Sequence, residues 1–280
     1  MFASFLITFR EALEAALIIG IIAAYLAKIG RKDLNRYIYA GIIGALFASL
    51  GVALAFTLVY GALEGTAEQL FEGIASLAAA AVLTYMIFWM ANNSKNIKGE
   101  LHGKIDVSIS KGQMIGLAFM SFIAVFREGV ETVLFLGTLA ISSPVDTIVG
   151  FVLGVTTVVI LSVIMFKGMY RLDISKFFKY TSVLLIVFAA GLTAYGVHEL
   201  NEAAVIPPVI EHVWDVNPAL NADGTYPALH EKGLIGTTLK SLIGYNGNPS
   251  LTEVLAYFGY WIIIGMFVYR TYKLPGEMKV

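Results

Sequence analysis

Cysteine is absent from the 280-residue chain, which excludes disulfides in any external loop, thiolate metal sites and cysteine nucleophiles. Charge is scarce. Only 14% of residues are Asp, Glu, Lys or Arg, where an ordinary soluble domain carries about 25%. Proline is limited to seven residues, and Pro207, Pro208, Pro218, Pro227 and Pro249 are concentrated in one stretch. What is abundant is apolar surface, 58% of residues against about 45–50% in a soluble domain. A bilayer span takes about 20 apolar residues, so the chain has room for roughly six to eight. The same composition excludes disorder, collagen-like sequence and nucleic-acid binding. Any metal chemistry must use oxygen and imidazole.

Seven apolar segments are predicted, at about 2–27, 37–60, 67–91, 112–140, 147–167, 180–203 and 252–270. The first cannot be a cleavable signal peptide, because it lacks a positive n-region, is too long, and carries Arg10, Glu11 and Glu14 in its middle. Segment 203–251 interrupts the pattern with its prolines among Asn, Asp and Gly, and reads as the only long loop, with room for one short helix. The expected fold is therefore all-α: one polytopic membrane domain over 1–280 with seven transmembrane helices.

Lys and Arg set the expected orientation, since cytoplasmic loops carry the excess. Lys28, Arg31, Lys32 and Arg36 lie in the first loop, Lys95, Lys98, Lys104 and Lys111 in the third, Lys167, Arg171, Lys176 and Lys179 in the fifth, and Arg270, Lys273 and Lys279 in the tail. Fifteen of the nineteen cations thus fall on one side. The N-terminus is expected outside and the C-terminus inside. Eleven acids fall outside and five inside, which gives net charges of −9 and +10. A negative outer face concentrates cations and repels anions.

Two basic residues, Arg10 and Arg127, lie inside the spans. Around them the first span reads SFLITFREALEAALIIG and the fourth SFIAVFREGVETVLFLG; at an offset of 117, nine of the twenty positions from 4 to 23 are identical. This is an internal repeat. Three spans separate the copies, so residues 1–92 and 112–203 form three-helix repeats of inverted topology, followed by the extracytoplasmic loop 204–251 and a seventh helix at 252–270. Transporters of this construction place their substrate near the midplane, at the repeat interface.

An ionisable residue at the bilayer centre costs at least about 2.5–3.5 kcal/mol, and six are present in two helices. At about 100° per residue, Arg10, Glu11 and Glu14 fall at about 0°, 100° and 40°, on one arc of the helix, and Arg127, Glu128 and Glu131 repeat the arrangement. Each Arg can pair with its own helix's Glu at i+4. That ion-pair lock leaves two carboxylates over, a surplus that a bound cation would compensate. Paired carboxylates from two antiparallel helices can converge on one ion, and hard oxygen ligands favour Mg, Ca, Mn or iron.

Two R-E-x-x-E motifs, in the first and fourth of seven spans, resemble those of the oxidase-dependent iron permease family, of the fungal high-affinity iron permease and bacterial EfeU type. The second copy, Arg127-Glu128-Gly129-Val130-Glu131, matches the family's R-E-G-L-E closely; the first, Arg10-Glu11-Ala12-Leu13-Glu14, has Ala12 in place of Gly. The resemblance implies a permease and not an enzyme, with iron (Fe2+ or Fe3+) as transported substrate, no cofactor, and Glu11, Glu14, Glu128 and Glu131 as candidate ligands. Arg10 and Arg127 would hold the carboxylates apart until the ion arrives. It also implies a cell membrane location, plasma or bacterial inner membrane, and an extracytoplasmic ferroxidase or iron-binding protein as partner.

A second, outer group of candidates collects cations. Thr66 and Gln69 read as a capping box that places Glu68 in the first turn of the third span and Glu72 one turn deeper. At the outer end of the sixth span, His198-Glu199-Leu200-Asn201-Glu202 sets His198 and Glu202 at i, i+4, a metal-ligand spacing, in a place where helix-terminal acids are electrostatically unfavourable. The bland alternative is that these acids only solvate helix ends. Gly112/Gly116, Gly150/Gly154 and the stripe Ala40/Gly44/Ala48 permit close packing. Tyr25, Trp89, Tyr170, Tyr195, Tyr260, Trp261 and Tyr269 read as interfacial anchors, and His102 as a solvated loop residue. Two alternatives remain open: a proton-coupled transporter of another divalent cation or of an anion, and a membrane-embedded di-iron carboxylate enzyme. The second would need Glu-x-x-His pairs, and no span has a mid-length His.

Overall fold

The computed structural model describes residues 1–93, 99, 103, 105, 114–166, 174–221 and 223–273. Lys95, Lys98, His102, Lys104, Lys111, Gly112, Lys167, Tyr170, Arg171 and Lys279 lie outside the described residues. Within them the secondary structure is helical. The helices are α1 (Phe2–Lys28), a 3-10 turn (Lys32–Leu34), α2 (Asn35–Tyr60), α3 (Thr66–Asn93), α4 (Met114–Ser142), α5 (Pro144–Phe166), α6 (Ile174–Glu202), α7 (Leu234–Ile243) and α8 (Leu251–Lys273). Each predicted segment has a helix, and the short helix allowed for in the long loop is α7. Pro144 opens α5, where its missing N–H has no intrahelical partner to lose.

Among the described residues, five helices are long and apolar enough to cross a membrane: Lys32–Tyr60, Thr66–Met90, Pro144–Met165, Tyr180–Glu202 and Leu251–Tyr269. The other two long helices, α1 and α4, are the ones that carry the R-E-x-x-E motifs, and their mid-length charges set them apart. Large apolar side chains stand exposed along α2 (Ile43, Phe47, Leu50, Leu54, Leu58) and along α5 (Ile148, Val152, Val159, Val163). Such continuous apolar faces are far beyond what water-soluble surfaces carry, and suit a hydrocarbon solvent.

The chain forms two compact units. The first comprises Met1–Leu63 with Thr84–Leu185, the second Glu64–Leu83 with Ile186–Val280. In the first unit α2 packs along α4 and α1 along α5, and α1 also crosses α4. Each motif-bearing helix, α1 and α4, is thus clasped by the helix that follows the other one. The contacts match in detail. A Cβ added at Gly41 of α2 would run into the Ala118 carbonyl and Ser121 of α4, and one at Gly150 of α5 into Ser4 of α1; Ser4 and Ser121 are equivalent under the 117-residue repeat. Gly154, as expected from its GxxxG pair, abuts Thr8. On α2 the buried stripe is Gly41, Ala45 and Ser49, one residue on from the expected Ala40/Gly44/Ala48, and Ala40 is exposed. Small residues occupy two faces of α2, and the position of α4 decides which one is buried. Ile22, Leu26, Leu34, Ile38, Ile105 and Leu117 form a dry cluster joining α1, the 3-10 turn, α2 and α4.

In the second unit the N-terminal half of α3 lies against α6, with Gly73 beside Leu200 and Gly196 beside Leu77. The expected Thr66/Gln69 capping box is not formed. The Gly65 carbonyl accepts the first helical bond of α3 from the Gln69 N–H, and the Gln69 side chain donates instead to Glu202 Oε2 at 3.0 Å. The capping box is built at α8. There the Ser250 hydroxyl accepts from the Glu253 N–H at 3.2 Å, and Glu253 Oε1 accepts from the Ser250 N–H at 3.1 Å, so two otherwise orphaned donors are satisfied.

Candidate metal site

Helix periodicity places all six motif charges of the first unit on facing stripes of α1 and α4, and the two stripes meet. Glu11, Glu128 and Glu131 each offer a carboxylate oxygen within 4.8 Å of the others, and among the described residues this is the group of three whose geometry suits a metal ion. One ligand comes from α1 and two from α4. Glu11, Glu14 and Glu128 are buried, and Glu131 is half-buried. Oε2 of Glu11, of Glu128 and of Glu131 is buried without a hydrogen-bond partner. Acceptor oxygens crowded together in this way call for a positive counter-charge.

The arginines supply part of it, unequally. Arg10 reaches Glu11 Oε1 with Nη1 at 3.1 Å and Glu14 Oε1 with Nη2 at 2.9 Å, and Nη1 also donates to the Met86 sulfur at 3.3 Å. Arg127 donates through Nε to Glu131 Oε1 at 2.9 Å and passes Glu128 Oε1 at 3.8 Å. Both i+4 pairs expected from the sequence are therefore present. Four Glu and two Arg still leave a formal surplus of two negative charges, held mainly by the three-carboxylate group. Glu14, paired with Arg10, lies outside that group.

Neighbouring residues were not legible as participants. Trp89, read from the sequence as an interfacial anchor, has the Arg127 guanidinium carbon 4.8 Å from its ring centre. Ser49 of α2 sits against Gly129, the glycine of the second motif, where a Cβ would collide with the serine side chain. That contact accounts for a Gly at this position. Spacing within α1 and α4 gives no sign of these partners, because they arrive from α2 and α3.

The outer candidates all fall in the second unit and form two hydrogen-bonded sets. In one, Tyr195 donates its hydroxyl to the buried Glu72 at 2.7 Å, and Glu199 lies within electrostatic reach of Glu72. Tyr195, read from the sequence as an interfacial anchor, lies on the side of α6 that faces α3. In the other set, His198 Nδ1 lies 3.0 Å from Glu253 Oε1 and its Nε2 3.5 Å from Glu202 Oε1, while Asn246 donates to Glu253 Oε2 at 2.7 Å. Glu253, not among the candidates read from the sequence, faces the imidazole in the position carboxylates take behind metal-binding histidines; its signal was the Ser250-x-x-Glu253 pattern. Glu68 is half-buried in the first turn of α3. These five residues do not close into a three-ligand group.

The iron permease FTR1 family matches residues 1–274. The chain belongs to this family. Among its relatives, an uncharacterized protein of Archaeoglobus fulgidus is 37% identical over 276 residues, 97% of this chain and 96% of that one. The ferrous iron permease EfeU of Yersinia pestis is 34% identical over 269 residues, 94% and 91% of the two chains, and EfeU of Escherichia coli O6:H1 is 35% identical over 269 residues, 94% and 93%. No solved structure matches. As an FTR1 family member with helices apolar enough to cross a membrane, the protein is a multi-pass membrane permease for iron and not an enzyme. The di-iron enzyme alternative is set aside on that ground.

Proposed function

We propose that the protein imports iron across the cell membrane, plasma or bacterial inner, through the group formed by Glu11, Glu128 and Glu131, with Glu14 held in reserve by Arg10. The observation that carries this reading is the convergence of carboxylates from both motif copies to within 4.8 Å of one another. Seven spans, an outside N-terminus and an inside C-terminus complete it, with α1–α3 and α4–α6 as inverted repeats and α8 as the seventh span. Cations gather at the outer acids Glu68, Glu72, Glu199 and Glu202 and at His198, then pass to the carboxylates of α1 and α4. The all-oxygen donor set suits a hard or borderline cation, and the relatives named as ferrous iron permeases favour Fe2+ as the cargo. An extracytoplasmic ferroxidase or iron-binding protein would meet the loop between α6 and α8.

Uptake of labelled iron into proteoliposomes, offered separately as Fe2+ under reductant and as chelated Fe3+, tests the proposal. Glu11→Ala, Glu128→Ala and Glu131→Ala are expected to lower uptake at least tenfold, and Glu14→Ala less than these. Full uptake by correctly inserted Glu131→Ala protein would show the mechanism to be wrong. Stronger uptake of Mn2+ than of iron in the same vesicles would favour the alternative of another divalent cargo.

A further inference from the structure

The two motif arginines are equivalent in the repeat and unlike in their surroundings. The Arg10 side chain is 0% exposed, enclosed by Glu11, Glu14 and the Met86 sulfur. Arg127 is 38% exposed at its side chain, holds Glu131 through a single nitrogen, and faces the Trp89 ring. The three-carboxylate group contains both acids that Arg127 touches, whereas Arg10 retains Glu14 outside it. A cation seated among Glu11, Glu128 and Glu131 therefore competes with Arg127, since a metal ion and a guanidinium repel each other across one carboxylate. Arg10 has no room to leave. Arg127 does, and a guanidinium that gives up its carboxylates in a low-dielectric site needs another partner. An aromatic face supplies one without adding a negative charge that would hold the cargo back.

We propose that Arg127 is the counter-ion exchanged for the transported cation, and that Trp89 is the positioning residue that retains Arg127 while Glu128 and Glu131 are occupied. This rests on the iron-permease reading of the site. Met86 and Trp89 lie one turn apart on α3, so a single turn gives each arginine an uncharged partner. The empty site has both Glu131 and Trp89 to hold Arg127, whereas the loaded site has only Trp89. Loss of the ring therefore weakens the loaded state more.

Iron uptake by Trp89→Leu, Trp89→Phe and Trp89→Tyr proteins in proteoliposomes tests the assignment. Trp89→Leu is expected to raise the half-saturating iron concentration roughly threefold to thirtyfold, the range of a cation–π contact, with little change in maximal rate. Phe and Tyr, which keep an aromatic face, should restore most of it. A fall in maximal rate alone, or a Phe variant no better than Leu, overturns the proposal. A second readout needs no transport. In a chain carrying Trp214→Phe and Trp261→Phe, Trp89 emission should respond saturably to Fe2+, and the response should be lost in Arg127→Gln; a response unchanged without Arg127 also overturns it. If wild-type vesicles take up no iron, the permease reading fails, and the emission titration still decides whether Arg127 and Trp89 act together.

Discussion

At the scale of single residues, position in the fold separates groups that the motif makes look alike. Arg10 and Arg127 share a sequence context over twenty residues, yet one is fully enclosed and the other reaches a half-exposed surface. Removing one member of a buried ion pair costs about 3–5 kcal/mol, because the partner charge is left uncompensated. Arg10→Gln strands two carboxylates in this way. Thermal unfolding in detergent should show a much larger fall in midpoint for Arg10→Gln than for Arg127→Gln, whose own side chain is 38% exposed. Equal falls would count against the asymmetry. Arg127→Lys is nonetheless expected to impair transport, because an ammonium point charge cannot reproduce the planar fork of a guanidinium or its stacking on Trp89. Glu253 makes the same point about position. By sequence it is one of several acids expected outside, and it meets the His198 imidazole because the Ser250 cap turns it that way.

At the scale of elements, the duplication is visible in how helices touch. Each motif helix is gripped by the helix that follows the other motif helix, through a glycine that meets an equivalent serine: Gly41 at Ser121, Gly150 at Ser4. In lipid there is little hydrophobic force between helices, so close van der Waals approach carries the association. Gly41→Leu and Gly150→Leu should each destabilise the detergent-solubilised protein by about 1–3 kcal/mol or more, the cost of overpacking a tight contact. Gly259→Leu, where nothing lies within 4 Å of an added Cβ, serves as the control and should leave the midpoint unchanged. A motif helix displaced from its clasp would also separate Glu11 from Glu128 and Glu131, so the first two variants should lose iron uptake as well.

At the scale of the whole molecule, the near-neutral net charge of −1 hides the division expected from the loop charges, an acidic outer face, a charged centre and a basic inner face. At Asp223, hydrogen bonds from the Thr225 hydroxyl and N–H keep the carboxyl below the usual carboxylate range. If this face concentrates cations, raising ionic strength from about 0.01 M to about 0.15 M, which shortens the Debye length from about 30 Å to about 8 Å, should raise the apparent KM for iron several-fold at constant maximal rate. Orientation can be measured directly, since the chain has no cysteine to remove. Leu229→Cys, exposed in the loop before α7, should react with an impermeant maleimide on intact cells, and Lys32→Cys only after permeabilisation. The reverse pattern would invert the proposed direction of transport.

The amino-acid sequence alone determined the helical, lipid-soluble character of the chain, its duplication, and the six charges at the heart of it. Each of these is a local or periodic property: apolar run length, self-similarity, and the angular position of residues on one helix. It also led to the iron permease family. Three of the four motif glutamates converge as their spacing suggested. What only the tertiary structure decided is which groups come from other elements: the separation of Glu14 from the three-carboxylate group, Met86 and Trp89 beside the two arginines, Ser49 against Gly129, and Glu253 behind His198. The capping boxes and small-residue stripes belong to the same class. Thr66-x-x-Gln69 and Ser250-x-x-Glu253 are equally good patterns, and only the position of Glu202 draws Gln69 away from the first. A helix specifies the directions its side chains take from its own axis, but the neighbour that meets each of them depends on contacts between residues distant in sequence, and no spacing within one helix encodes that.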